Sequence, residues 1–275
     1  MDDAAIAMHE FQLTLEDCVL NLAEGPNNGP LLLLLHGFTN RWQVFQPILP
    51  VVLPKWHVVT FDFRGHGRSG RARRYSAAGF YQDAVAVLGH FAPEPVVLLG
   101  HSMGGSIALH LAQNFPERVR AVVTGDTSLD LAMHVETMNQ RRNVKLFGLR
   151  RKLAGRPVEE LLRRGLPSLQ AHELAQLDPH VMDYHAEGRV GEFFADVQDV
   201  DFDRIRCPVL LTQASPQRGG LLQDAEIPPV LAAHPHFRFH RFESGHDLDI
   251  EQGLDSPFWQ VSLAFLEPFS LYAED

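Results

Sequence analysis

Cysteine is scarce in this chain, and so is positive charge. Cys18 and Cys207 are the two cysteines among 275 residues, which is too few for a disulfide framework. A single bridge between segments so far apart would be unusual in a reducing compartment. We therefore expect both thiols to be buried and free. The formal net charge of -10 argues against nucleic acid as the main partner, because binding phosphates requires a concentrated basic surface.

Signals for secretion and membrane insertion are also missing. Residues 1–5 lack the cationic start and apolar stretch of a signal peptide, and no run approaches the roughly 18 apolar residues of a membrane span. These absences predict a soluble, cytoplasmic protein. Apolar residues make up 45% of the chain and charged residues 21%, as in globular proteins that fold by themselves.

The pattern of short apolar runs predicts strands of a parallel sheet that are buried on both faces. Ahead of them, alternation between Glu10 and Leu22, followed by a Gly- and Pro-rich break, predicts two antiparallel strands. Helix-like stretches separate the apolar runs, as in α/β folds. The predicted buried strands are Leu31–Leu35, Val58–Phe61, Val96–Leu99, Ala121–Val123, Val209–Leu211 and the more mixed Phe237–Phe242, and the predicted helices are Ala77–Phe91, Gly104–Asn114 and Ser256–Leu266.

One long segment interrupts this alternation. Residues 130–200 are polar and amphipathic throughout, and they separate the strand at Ala121 from the strand at Val209. We interpret them as a helical cap inserted over the sheet. The predicted division is therefore a core made of residues 1–129 and 201–275, with residues 130–200 as the cap.

The predicted cap is rich in both basic and apolar residues. Nine of the chain's 24 basic residues lie within positions 141–164. We interpret this cluster as a solvated helix face, with attraction of an anionic substrate as the alternative. The apolar residues between these charges are numerous enough to cover a hydrophobic acyl or aryl pocket. They are Leu131, Met133, Met138, Val144, Leu146, Phe147 and Leu149.

The strongest chemical signal is a buried strand that continues into Gly-x-Ser-x-Gly at residues 100–104 and then into a helix pattern. This context predicts a nucleophile elbow with Ser102 as the nucleophile. Gly100 and Gly104 are needed there because the strained turn leaves no room for neighbouring Cβ atoms. The turn also places the amide of Met103 at a helix N-terminus, where it can stabilise a developing oxyanion.

Two Gly-containing turns follow the first two buried strands. In the turn after Leu35, the amide of Phe38 is the predicted second oxyanion donor. His36 is interpreted as a structural histidine that fixes this loop rather than as a catalytic group. The turn at residues 62–69 is interpreted as scaffolding, because its glycine spacing matches neither phosphate-binding pattern.

Taken in order, His-Gly-Phe at 36–38, Asp-x-Arg-Gly-His-Gly-Arg-Ser at 62–69 and Gly-His-Ser-Met-Gly-Gly at 100–105 resemble the α/β-hydrolase superfamily. The resemblance covers nearly the whole chain outside the predicted cap. It implies a mostly parallel eight-stranded sheet flanked by helices, a nucleophile after strand five and a histidine near the C-terminus. His246 matches that histidine, whereas His101 is expected to point away from the site.

The acid of the implied triad departs from the usual pattern. In most members of the superfamily it follows the strand that corresponds to 208–211, but residues 212–220 contain no carboxylate. Asp126 is the predicted substitute, because it stands at the end of the neighbouring strand and can orient the imidazole from there. Asp224, Asp130 and a dyad without an acid remain alternatives.

These residues predict a metal-free, cofactor-free serine hydrolase that cleaves a small carboxylic ester through an acyl-enzyme on Ser102. Three alternatives stay open. They are carbon–carbon hydrolysis of a dienoic diketone-like acid, cofactor-free oxygenase or lyase chemistry on the same fold, and a small-molecule receptor with slow turnover. Dehalogenation is disfavoured, since it would need a carboxylate in place of Ser102.

Overall fold

The computed structural model describes residues 8–271; residues 1–5, from which the lack of a signal peptide is predicted, lie outside them. Within the described residues, eight strands form one sheet in the order β1-β2-β4-β3-β5-β6-β7-β8. The β1–β2 and β2–β4 pairs are antiparallel, and the remaining pairs are parallel. The strands are β1 His9–Thr14, β2 Val19–Glu24, β3 Leu31–Leu35, β4 His57–Asp62, β5 Val96–His101, β6 Val119–Gly125, β7 Val209–Gln213 and β8 Phe237–Arg241.

Helices connect the parallel strands and cover both faces of the sheet. The helices outside the segment between β6 and β7 are α1 Leu49–Val52, α2 Ala77–His90, α3 Met103–Asn114, α10 Ile227–Ala233 and α11 Pro257–Leu266. Those between β6 and β7 are α4 Leu131–Met138, α5 Arg141–Leu153, α6 Val158–Arg163, α7 Ser168–Ala175, α8 Asp183–Ala186 and α9 Val190–Phe193. Shorter 3₁₀ helices are Trp42–Ile48, Pro179–Met182, Phe202–Arg204, Pro216–Arg218, Ile250–Asp255 and Glu267–Phe269.

The central strands are apolar on both faces because each face packs against a helical layer. In β3, Leu31, Leu33 and Leu35 join the hydrophobic cluster that contains α2 and α3, whereas Leu32 and Leu34 join the cluster that contains α1 and α11. Successive side chains of a strand point to opposite faces. An unbroken run of leucines is therefore what a strand between two helical layers requires.

The predicted α/β-hydrolase fold is confirmed, with differences of one or two residues at the ends of elements. The antiparallel start is confirmed as β1 and β2, whose turn is closed by a hydrogen bond of 2.8 Å from Leu15 N to Cys18 O. Cys18 and Cys207 are both buried and free, as predicted. In residues 8–271, no helix has the length and apolar character needed to cross a membrane.

The basic cluster of positions 141–164 is largely a solvated helix face. Glu160 receives hydrogen bonds from Arg156 at 2.7 Å and Arg164 at 2.8 Å, and all three side chains are at least partly exposed. Arg151 on α5 contacts Asp183 at 3.1 Å, which joins α5 to α8. Exposed pairs of this kind stabilise a fold only slightly.

Candidate active site

Ser102 lies between β5 and α3 in a backbone conformation that is rare for a residue with a side chain. Its φ is 53° and its ψ is −116°. A non-glycine residue at such a φ costs roughly 1–3 kcal/mol, and strain of this kind concentrates at functional sites. The surrounding hydrogen bonds hold the turn in place, with Ser102 N donating to Gly125 O at 2.7 Å and Thr127 Oγ1 donating to Ser102 O at 3.0 Å.

Glycines beside Ser102 allow α3 to approach the sheet closely. A Cβ atom at Gly104 would stand 2.1 Å from the carbonyl oxygen of Leu35, and one at Gly100 would stand 2.2 Å from the carbonyl oxygen of Gly104. Real Cβ atoms do not approach backbone oxygens so closely. The glycine requirement expected from the sequence therefore comes from backbone packing on both sides of the nucleophile.

We expect Gly104→Ala to lower the free energy of unfolding by about 3 kcal/mol, because the added methyl group must push α3 away from β3. The change is measured as a shift of the urea midpoint. Gly89→Ala is the matched control, since Gly89 lies in α2 and a Cβ there would meet nothing within 4 Å. That variant should be as stable as the wild type or more stable by about 0.5–1 kcal/mol. Equal effects of the two substitutions would contradict the packing argument.

Ser102, His246 and Asp126 form a continuous hydrogen-bonded chain. The distance from Ser102 Oγ to His246 Nε2 is 3.0 Å, and that from His246 Nδ1 to Asp126 Oδ2 is 2.6 Å. Because an ionised carboxylate only accepts hydrogen bonds, we assign the imidazole proton to Nδ1. His246 Nε2 is then free to accept the proton that the serine hydroxyl must lose on attack.

The carboxylate of Asp126 is fully buried and bound by backbone amides of the segment after β7. Ala214 N donates to Oδ1 at 3.1 Å, Leu222 N donates to Oδ1 at 3.3 Å, and Leu221 N donates to Oδ2 at 2.8 Å. Residues 214–222, which overlap the stretch that lacks the usual acid, thus supply three N–H donors. These donors fix the carboxylate in place, and Oδ2 can then orient His246.

The other carboxylates considered for this role lie elsewhere. Asp224 accepts from Gln213 Nε2 at 2.8 Å and contacts Arg241. Asp130 caps α4 by accepting from Met133 N at 2.8 Å. Neither is hydrogen-bonded to His246, so the structure brings Asp126 and not these two residues to the imidazole.

Phe38 and Met103, whose amides are the predicted oxyanion donors, both line the cavity around Ser102. Within residues 8–271, neither amide donates a hydrogen bond to the protein. Histidines fix the loop that carries Phe38: His66 Nε2 lies 2.6 Å from Phe38 O, and His36 Nδ1 lies 2.8 Å from Gly37 O. The histidine at 36 therefore has the structural contacts expected of it.

The expectation that His101 points away from the site is wrong. Its ring centroid lies 4.9 Å from that of His246, and its Nε2 is 2.8 Å from the carbonyl oxygen of His246. Burial, with a smaller contribution from His246, lowers the pKa of His101 to about 4. As the last residue of β5, His101 packs beneath the loop of His246 and supports it as a neutral imidazole.

A cavity of about 710 Å³ opens above Ser102 between the sheet and the helices that precede β7. Its apolar wall includes Phe38, Leu129, Leu146, Phe147 and Phe193. This volume is within the range of small-molecule sites. In residues 8–271, no group of three or more His, Cys, Asp or Glu side chains is arranged to hold a metal ion.

Sequence reasoning did not single out four polar side chains of this cavity, namely His134, Arg150, Glu173 and His185. Removal from water lowers the pKa of His134 to about 4 and that of His185 to about 3. Burial raises the pKa of the Glu173 carboxyl to about 7. The sequence signal that α5 lines the cavity is a spacing of three and four residues. It places positions 143, 146, 147 and 150 on one face of the helix.

Comparison with known proteins shows the family to which the chain belongs. A family model described as α/β hydrolase fold matches residues 30–200. A Bacillus subtilis (strain 168) protein provisionally named 2-succinyl-6-hydroxy-2,4-cyclohexadiene-1-carboxylate synthase is 33% identical over 152 residues, or 54% of this chain and 52% of its own length. The 2-(acetamidomethylene)succinate hydrolase of Mesorhizobium japonicum is 31% identical over 142 residues, or 50% of this chain and 49% of its own length. The chain thus spans about half the length of these curated relatives.

Solved structures match over nearly the whole chain at lower sequence identity. A crystal structure of E-2-(acetamidomethylene)succinate hydrolase superposes with a TM-score of 0.70 at 19% identity, covering 94% of this chain and 99% of that one. The enol-lactonase of Burkholderia xenovorans LB400 superposes with a TM-score of 0.69 at 16% identity, covering 94% of this chain and 100% of that one. At such identities the likeness concerns the fold alone.

Proposed function

Because the chain belongs to the α/β-hydrolase fold family, we propose that it is a serine hydrolase that cleaves a small carboxylic ester or related acyl bond. The observation that carries this proposal is the chain of contacts from Ser102 Oγ through His246 to Asp126, at 3.0 and 2.6 Å. Serine, imidazole and a buried carboxylate in this geometry are the arrangement that activates a hydroxyl for attack on a carbonyl.

In the proposed reaction, Ser102 Oγ attacks the carbonyl carbon while His246 Nε2 takes the hydroxyl proton. The amides of Phe38 and Met103 stabilise the oxyanion of the tetrahedral intermediate. His246 then gives its proton to the departing alcohol, which leaves an acyl group on Ser102. Water, deprotonated by His246, attacks this ester and releases the acid, and the proton returns to the Ser102 oxygen.

The position of the helices between β6 and β7 supports the interpretation of residues 130–200 as a cap. Leu146 and Phe147 of α5 and Phe193 of α9 line the same cavity as Ser102. We propose that these helices exclude water and bind a hydrophobic acyl or aryl group, with residues 1–129 and 201–275 as the core domain. A cytoplasmic location belongs to the same proposal, supported by two free, buried cysteines.

A second candidate is carbon–carbon bond hydrolysis of a dienoic diketone-like acid at the same site. Two observations favour an acidic substrate: Arg150 reaches the cavity wall, and two relatives are named for a succinate hydrolase and a carboxylate synthase. Turnover of such an acid with negligible turnover of aryl esters would favour this candidate.

We expect a fluorophosphonate probe to label the native protein once, at Ser102, because only an activated hydroxyl displaces fluoride from the phosphorus at a useful rate. Mass spectrometry of the digested adduct identifies the site. Ser106→Ala is the matched control: Ser106 also lines the cavity but is not bonded to His246, so its loss should leave labelling unchanged. A folded native protein that does not label would contradict the acyl-enzyme mechanism and favour the oxygenase or receptor alternatives.

A further inference from the structure

The charged side chains around the cavity of the described chain are unevenly distributed. Six of the eight are exposed and lie at its rim, whereas Arg150 is half-buried and Glu173 is only 6% exposed. The interior therefore contains one guanidinium and one carboxyl group. The six at the rim are Asp130, Asp196, Asp199, Arg218, Asp247 and Glu251.

Arg150 lacks the carboxylate partners that its neighbour has. Arg151, the next residue of α5, contacts Asp183 at 3.1 Å and Glu187 at 3.0 Å. In the part of the chain that the structure describes, no carboxylate oxygen lies within 4 Å of Arg150. Its Nη1 donates one hydrogen bond, to Thr39 Oγ1 at 3.2 Å. Most of the five N–H donors of this guanidinium thus have no acceptor in residues 8–271.

Glu173 does not replace the missing partner. It accepts a hydrogen bond from Asn40 Nδ2 at 2.8 Å, and burial raises its pKa to about 7. A carboxyl with this pKa carries a proton for much of the time at neutral pH. Arg150 is then the charge that dominates the cavity interior.

His185 contributes a second unused polar group beside Arg150. Its ring is 3% exposed, Nδ1 is buried without a partner, and the side chain makes no hydrogen bond within residues 8–271. It packs on Phe38 at 4.3 Å and on Phe147 at 5.0 Å between ring centroids. Arg150 is bonded to Thr39, the residue after Phe38, so Arg150 and His185 both contact this loop of the cavity wall.

We propose that Arg150 and His185 form a carboxylate-binding subsite in the cavity wall, so that the natural substrate is an acyl compound with a second, free carboxylate. This inference rests on the function proposed above and specifies its substrate class. The planar guanidinium fork matches the two oxygens of a carboxylate. A neutral imidazole adds one donor, and the neighbouring aromatic rings strengthen both interactions by excluding water.

The test compares two esters that differ only at the far end of the acyl chain: 4-nitrophenyl adipate with a free carboxylate, and the same compound with that carboxylate blocked as a methyl ester. We expect wild type to have a kcat/KM at least about 10-fold higher for the free acid. Arg150→Gln should lower kcat/KM for the free acid by about 10- to 100-fold, mainly through KM, because a charged hydrogen bond is lost. The blocked ester should change by less than about threefold.

Arg151→Gln is the matched control, because it removes an adjacent arginine of α5 that is paired outside the cavity. It should leave the preference between the two esters unchanged. His185→Phe keeps the aromatic packing and should lower only the free-acid rate. Equal kcat/KM values for the two esters in wild type, or an equal loss for both in Arg150→Gln, would overturn the subsite.

Binding separates this inference from the proposed reaction. In Ser102→Ala, calorimetry with monomethyl adipate and dimethyl adipate measures the preference for a carboxylate without any turnover. Tighter binding of the monoester that disappears in Ser102→Ala/Arg150→Gln supports the subsite even if Ser102 proves not to be a nucleophile. Labelling of Ser102 together with equal binding of the two compounds overturns the subsite and leaves the serine hydrolase proposal standing.

Discussion

Replacement of Ser102 by alanine should lower kcat for 4-nitrophenyl esters by about 10⁵-fold or more, because the nucleophile and the acyl-enzyme are lost together. Residual turnover would come from substrate binding and from stabilisation of the oxyanion by the free amides of Phe38 and Met103. Neither effect depends on the hydroxyl. Steady-state kinetics with active-site titration measures the loss. Binding of a product acid should change little, since the substitution removes one oxygen from a cavity of about 710 Å³.

The control for this experiment is the fold of the variant itself. Ser102 N and O remain bonded to Gly125 and Thr127 whatever the side chain, so the urea midpoint should stay close to that of wild type. An unchanged midpoint together with more than a tenth of the wild-type rate would assign the nucleophile to another residue. The expected result is the same midpoint with only the residual turnover, about 10⁵-fold below wild type.

The sheet could be predicted closely because its sequence pattern has one physical cause. A strand between two helical layers buries every side chain, and β3, β4 and β5 are fully buried along their whole length. Their apolar runs identify them without reference to the rest of the chain. The ends are less well defined: β4 spans His57–Asp62, where the apolar run predicts Val58–Phe61, because the polar end residues carry no hydrophobic signal.

The cavity wall could not be predicted in the same way. No side chain of α5 is fully buried, and its polar residues are typical of a surface helix. That Arg150 faces the cavity while Arg151 faces α8 follows from how α5 lies over the sheet, which is a tertiary contact. The interpretation of the basic cluster as a solvated face therefore describes most of its members and misses Arg150.

The contacts of the triad acid could not be predicted from the sequence for a different reason. Absence of a carboxylate from residues 212–220 is visible in the sequence, but the role of that segment is not. Together with the two residues that follow it, the segment bonds to Asp126 through backbone amides, at Ala214, Leu221 and Leu222. Every residue other than proline has such an amide, so side-chain identity cannot reveal the interaction. Asp126 was reachable from the sequence only through its place at the end of the strand next to the elbow.

Asp126→Asn should lower kcat by about 10⁴-fold, the loss expected when the imidazole is held in the wrong tautomer. The amide oxygen of asparagine would turn to the donors at Ala214 and Leu222, which leaves its NH₂ group facing His246 Nδ1. His246 would then accept at Nδ1 and carry its proton on Nε2, where it cannot take the proton of Ser102. Fluorophosphonate labelling of Ser102 should slow in parallel with turnover.

Asp224→Asn is the matched control, because Asp224 bonds to Gln213 and Arg241 and not to the imidazole. Its kcat should stay within about threefold of wild type, as expected for an exposed pair. A large loss in this variant with little loss in Asp126→Asn would assign the acid to Asp224. Unchanged labelling in both variants would indicate that Ser102 and His246 act as a dyad. Urea midpoints of the two proteins separate these outcomes from unfolding, since Asp126→Asn also places an NH₂ group against the Leu221 amide.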